Sequence, residues 1–369
     1  MPTSTSPLFK PFQLNNLHLK NRIVMAPMTR TFSPGNIAND KNVEYYRKRA
    51  AGGVALIITE GTCVGHEAAN GYPNVPYIGS DEQLAGWKKV VEAVHAEGGK
   101  IMPQLWHVGS LRKPGTEPDG DVPGFGPSGL VMPGKKRCHA MTEEDITDVI
   151  NAFADSARRA KEIGFDGIEI HGAHGYLLDQ FFWEGLNQRT DKWGGSLVKR
   201  TRFAVEVIKA VRAVVGPDFP IILRWSQWKQ QDYNARLATT PQELEEFLLP
   251  LSSAGVDIFH CSTRRFWEPE FDGSDLNLAG WTQKITGKPA ITVGSVGLDT
   301  AFTEENTAGF AGAKPASLDN LTERMANGEF DLVAVGRALI ANPDWAQKVE
   351  ADQHSDIAPY TKDMLTKLI

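Results

Sequence analysis

Eight short apolar runs, most of them followed by a stretch with helical spacing, constrain this chain more than any other feature. They fall at 22–30, 53–61, 100–107, 166–170, 220–226, 256–262, 289–295 and 331–336. The runs are almost continuously apolar rather than alternating, as parallel strands are when both faces of their sheet are buried. Helical periodicity marks 42–53, 81–98, 142–164, 196–215, a segment opening at Thr240-Pro241, 278–286, 316–327 and 341–350. Local chemistry agrees with these boundaries. Thr142 precedes Glu143, Glu144 and Asp145, a hydroxyl cap with acid in the first turn; Gly164 stops that helix; Pro241 takes a first helical position. Eight β/α units in one chain mean a closed barrel before they mean an open sheet. A doubly wound fold would want a glycine loop after its first strand, and MAPMTR (25–30) has none. The expectation is an α/β fold, a single (β/α)8 TIM barrel over residues 1–369. A β-hairpin within 8–21, turning at Asn15-Asn16, leads into it. A polar, Pro/Gly-rich excursion at 108–140, after the third strand, reads as a lid-like insertion.

Composition narrows the partners. A formal net charge of −6 counts against nucleic-acid binding by bulk electrostatics. The three cysteines (Cys63, Cys138, Cys261) are far apart and odd in number, which suits reduced thiols in a cytoplasmic compartment. No signal-peptide core and no membrane-length apolar stretch is present. A cytoplasmic protein with a small-molecule ligand, monomeric or homodimeric and bound to neither membrane nor nucleic acid, is the expectation.

In such barrels the site is built where the strands end. The first strand delivers Pro27, Met28 and Thr29; the second Glu60 and Gly61; the third Gln104, Trp106 and His107. The fourth delivers His171, His174 and Tyr176 within six residues, and the fifth Arg224. Two imidazoles and a phenol at one strand end suit holding and protonating a substrate. HxxH with Asp179 nearby is also a metal-cluster pattern, but no cysteine or further histidine joins it at a zinc spacing, so no metal is expected. The last two strands end in glycine turns holding Gly294 and Ser295, then Gly336 and Arg337. Loops at those positions commonly bind phosphate, with backbone N–H groups and a guanidinium as donors; otherwise the glycines only turn the chain and Arg337 pairs with an acid. Thr29 and Gln104 suit the polar edge of a planar heterocycle, Gly61 leaves room for a ring, and Arg224 suits negative charge on it. Together they fit flavin mononucleotide (FMN).

RIVMAPMTR (22–30), QLWHVGS (104–110), HGAHGYLLDQF (171–181), NQRTDKWGGS (187–196) and LVAVGRALIANPD (332–344) together resemble the old yellow enzyme family of FMN-dependent ene-reductases, over nearly the whole chain. The resemblance implies that Pro27, Met28, Thr29, Gly61, Gln104, Arg224, Gly294, Gly336 and Arg337 hold FMN, with Thr29 bonding the carbonyl near the reactive nitrogen and His171 on its edge. It implies that NAD(P)H is the hydride donor. His171 and His174 would bind the carbonyl or nitro oxygen of an enone or nitroalkene, and Tyr176 would be the proton donor. Thr29 and Trp106 favour the threonine-bearing branch. Phe266 and Trp267 either roof the pocket or belong to the core, and Trp225 and Trp228 carry the same ambiguity. Tyr360 is the candidate C-terminal pocket aromatic, and the loop 298–315 has no assigned role. A lyase or aldolase using the same phosphate site would need a strand-end lysine, which the strands as read lack. A flavin-storage or redox-sensing protein is the other alternative. Relatives with an extra iron–sulfur domain are excluded by the missing cysteine cluster.

Overall fold

A computed structural model describes residues 5–301 and 312–369. Eight parallel strands form its centre: Ile23–Met25, Leu56–Val64, Lys100–Trp106, Ile168–His174, Ile221–Lys229, Ile258–Ser262, Ala290–Val293 and Leu332–Val335. Each pairs with the next in sequence, and the eighth closes on the first through Val333↔Ile23 and Val335↔Met25. The expected closed barrel is the observed one. The nine residues of the second strand are all buried, which is why its sequence shows no alternation.

Helices pack outside. Thr142 accepts from the Asp145 amide while the Asp145 side chain accepts from the Thr142 amide, a reciprocal cap on the helix Glu143–Glu162. Ser80 and Asn39 open Asp81–Ala96 and Asp40–Ala51 in the same way. Two helices differ from expectation. The run 196–215 breaks at Thr201 into Leu197–Arg200 and Arg202–Val215. The helix read at 341–350 is Trp345–Glu350, and a separate short helix, Arg337–Ala341, begins directly after the eighth strand.

The hairpin (Phe12–Leu14 with Leu17–Leu19) turns at Asn15-Asn16, where Asn15 takes φ 50°. Phe12, Leu17 and Leu19 share one buried cluster with the inward residues Val24, Leu56, Ile58, Met102, Ile222, Ile258, Ile291 and Leu332. The hairpin therefore plugs the barrel's lower end, and burying Leu17 and Leu19 contributes about 1.5–3 kcal/mol each.

Residues 108–140 form two short strand pairs, Phe125–Gly126 with His139–Ala140 and Leu130–Met132 with Lys135–Lys136. Arg112, almost fully buried, donates to the carbonyls of Asn70, Thr116, Glu117, Asp119 and Val122 and staples the excursion to the barrel rim. Of the loop 298–315, residues 302–311 lie outside the described residues. Its two ends meet in a Leu298–Pro315 bridge, and Gly312–Ala313 pairs with Tyr360–Thr361. Among the described residues no helix is long and apolar enough to cross a membrane.

Candidate active site

A cavity of about 380 Å³ opens at the carboxyl ends of the strands, within the range of small-molecule pockets. Pro27, Met28, Thr29, Gln104, His171, His174, Tyr176, Arg224, Gly294, Ser295, Gly336 and Arg337 all line it. Trp106, Trp228, Ser262, Arg264 and Tyr360 line it too. Residues that are neighbours in strand register arrive together: His171 pairs with Arg224, and Arg224 with His260.

Gly61 is the exception among the expected cofactor residues and corrects the reading of it as a space-maker. It does not line the cavity, and a Cβ there would stand 2.3 Å from Cε3 of Trp106. The room that glycine leaves is filled by the Trp106 indole. No residue of 108–140 lines the cavity either, so the excursion, packed on Asn70 and Gln180, offers no contact for a lid. Phe266 is core and Trp267 packs against the core, neither reaching the cavity; Trp225 is core, whereas Trp228 stacks on His174 at 4.5 Å.

The fourth strand runs past its expected end at 170 to His174 and then turns sharply. Gly175 takes φ 77°, a left-handed conformation that favours glycine. Asp179 secures the turn: one carboxylate oxygen accepts the Gly175 amide at 2.7 Å and the other accepts Lys229 Nζ at 2.7 Å. Both side chains are fully buried. Burial pushes the Asp179 carboxyl up to about 6 and pulls Lys229 down, while each charge holds its partner ionised. Asp179 is thus committed to an ion pair rather than to a metal. Lys229 also corrects the fifth strand, read as ending at Ser226. A strand-end lysine does exist, but it donates to Asp179 and the Ser226 carbonyl and does not line the cavity. A Schiff-base role has no support there.

His171 Nδ1 accepts the Ala173 amide at 3.3 Å, which in the neutral ring puts the hydrogen on Nε2. Burial first, then the Arg224 charge, holds both His171 and His174 well below the ordinary imidazole value, so each is neutral at pH 7. His174 Nε2 lies 2.7 Å from Ser262 Oγ, a partner that no motif announced. Tyr176 packs edge-on to His171 at 4.9 Å and to Trp106 at 5.0 Å. Burial lifts its phenol well above the ordinary value and keeps it protonated.

Beneath these groups Gln104 donates to Glu169 at 2.8 Å, and Glu169 takes a second bond from His260 Nδ1 at 2.6 Å. The carboxylate occupies one amide hydrogen of Gln104 and leaves its carbonyl oxygen free. Sequence reading passed over Glu169 and His260; a polar residue inside an otherwise apolar strand is the signal that marks both.

The donors expected for an anionic, planar cofactor are present and partly unused. Arg224 Nε and one Arg337 terminal nitrogen are buried without a hydrogen-bond partner. Such orphaned donors are costly unless a ligand satisfies them, and both residues line the cavity. Arg337 also donates to the Thr300 carbonyl, not to an acid, and stands over the Tyr360 ring. Gly294 has a structural reason as well, since a Cβ there would press to 2.8 Å of the Thr263 carbonyl oxygen. Ser295 spends its hydroxyl on the Arg264 carbonyl, leaving only its backbone for a phosphate. Among the described residues no cluster of His, Cys, Asp or Glu fit to hold a metal ion occurs.

Residues 7–356 match the NADH:flavin oxidoreductase / NADH oxidase family. The chain is 34% identical to 12-oxophytodienoate reductase 2 of Arabidopsis thaliana over 94% of its own length and 89% of that protein's. It is 35% identical to flavin oxidoreductase hxnT of Emericella nidulans, over 93% of this chain and 90% of the relative. Among solved structures, morphinone reductase in complex with tetrahydroNAD superposes with a TM-score of 0.78 at 30% identity, covering 97% of this chain and 93% of that one.

Proposed function

This chain belongs to the NADH:flavin oxidoreductase / NADH oxidase family, the old yellow enzymes, whose cofactor is FMN, and from that premise we propose that it reduces the activated C=C bond of α,β-unsaturated carbonyl compounds or nitroalkenes with NAD(P)H as hydride donor. The observation that carries the reading is the grouping of His171, His174 and Tyr176 over one cavity whose flanks hold the unsatisfied donors of Arg224 and Arg337. Thr29, Gln104 and Arg224 would take the polar edge of the flavin, with Pro27 and Met28 beside it. The turns of Gly294, Ser295, Gly336 and Arg337 would take its phosphate. Bound FMN supplies the hydride.

The chain's own residues do the rest. The Nε2–H of neutral His171 donates to the substrate's oxygen and stabilises the charge that gathers there as the β-carbon is reduced. His174, held between Trp228 and Ser262, contributes its remaining ring nitrogen to the same wall. Tyr176 gives its phenolic proton to the α-carbon; a high pKa keeps that proton in place until the carbon becomes basic. Trp106 and Trp228 exclude water from both sides.

Tyr176→Phe tests the assignment. Its flavin should still be bleached by NADPH, while turnover of a weakly activated alkene such as 2-cyclohexenone falls by roughly 10²-fold or more. Unchanged enone turnover would remove Tyr176 from the role of acid.

A further inference from the structure

Each turnover as proposed takes one proton from a phenol that is 8% exposed, and something must return it. Tyr72 stands where that requires. Its hydroxyl lies 3.0 Å from the Tyr176 hydroxyl, and its ring stacks on Trp106 at 5.5 Å with an interplanar angle of 20°. Tyr72 is not among the residues lining the cavity and is partly exposed. Its backbone is fixed by a bond from its amide to the Asn70 side chain, and Asn70 is itself held by Arg112. The two hydroxyls thus join a partly exposed phenol to the buried one, with Trp106 holding the outer ring in place.

We infer that Tyr72 is the relay through which Tyr176 recovers its proton, a positioning residue that acts through the acid rather than on the substrate. The inference rests on the proposed role of Tyr176. The Tyr176 O–H bond breaks as its proton passes to the substrate's α-carbon. The Tyr72 O–H bond then breaks as its proton forms the new Tyr176 O–H, and solvent water reprotonates Tyr72. With the hydride from the reduced cofactor, the substrate gains one hydride and one proton, and both tyrosines end as they began. Between turnovers the same bond orients the Tyr176 hydroxyl.

The test is Tyr72→Phe in the FMN-loaded enzyme, which keeps the ring on Trp106 and removes only the oxygen. Steady-state turnover of 2-cyclohexenone should fall at least about tenfold, inside the roughly 10²–10⁴-fold that positioned proton transfer contributes. Reduction of the flavin by NADPH and the KM for the enone should stay as in the parent. Imidazole buffer at rising concentration should restore turnover, because an external acid replaces the missing relay. A variant that turns over at the parental rate overturns the relay, as does one whose loss comes with a raised KM and no buffer rescue, the mark of a packing role. Tyr176→Phe run alongside separates the two ideas: if it too is unimpaired, the acid assignment has failed; if it alone is impaired, only the relay has.

Discussion

Replacing Glu60 with glutamine should change how stability depends on pH, and the size of the change follows from where the carboxyl sits. Glu60 is 1% exposed in the second strand. One oxygen accepts the Arg30 amide at 3.0 Å; the other receives longer bonds, at 3.4 Å, from Tyr46 and Asn42. Burial outweighs these bonds and pushes the carboxyl up to about 7. The unfolded chain releases the same proton near 4.3. Between those values the folded state holds a proton that the unfolded state has lost, so stability is full below about pH 4 and drains away as pH rises through about 7. A gap of about 2.7 pH units corresponds to an upper bound of roughly 3.7 kcal/mol. Glutamine keeps an acceptor for Arg30 and has no charge to bury. Glu60→Gln should match the parent near pH 4.5 and exceed it by about 2–3 kcal/mol at pH 8. Urea midpoints at four pH values, followed by tryptophan fluorescence with FMN in constant excess, measure the difference; groups that titrate alike in both proteins cancel. A variant-minus-parent difference that stays flat from pH 4.5 to 8 would show that Glu60 is not held protonated by burial, and the reasoning would fall.

Two other substitutions probe the site's walls. Gly61→Ala puts a methyl inside the Trp106 indole; it should cost about 1–3 kcal/mol by overpacking and, by driving the indole toward the cavity, raise KM for bulky enones, whereas parental stability with parental KM would mean the notch is not filled as described. Arg337→Ala removes the guanidinium, with its unpartnered nitrogen, beside the Gly336 turn; loss of a charged hydrogen bond worth about 1.5–3 kcal/mol should weaken FMN retention by roughly 10–150-fold in equilibrium dialysis, and unaltered retention would move the phosphate elsewhere.

Much of the architecture was legible because each barrel strand is buried on both faces. Runs such as 332–336 and 53–58 carry nothing polar to confuse the pattern. Boundaries slipped where inward-facing polar residues extend a strand, since hydropathy cannot separate the buried Gln227 and Lys229 from a solvated loop. The strand-end rule brought His171, His174, Tyr176, Arg224 and Arg337 to one place in advance. It was silent about groups that closure of the barrel brings in from a distance: Ser262 beside His174, His260 beneath Glu169, Tyr72 beside Tyr176. Gly61 misled for a related reason. A missing side chain announces a vacancy but not its tenant, and here the tenant comes from the third strand.

The buried charge pair under Gly175 has a bearing on anyone who would reshape this pocket. A salt link without water around it cannot be relaxed by degrees: removing either end strands a charge in a dry interior, at about 3–5 kcal/mol, and frees the hinge on which both imidazoles and the phenol are hung. Tailoring of ligand preference is therefore best aimed at wall residues outside this turn, leaving Asp179 and Lys229 untouched as the rivet of the working face.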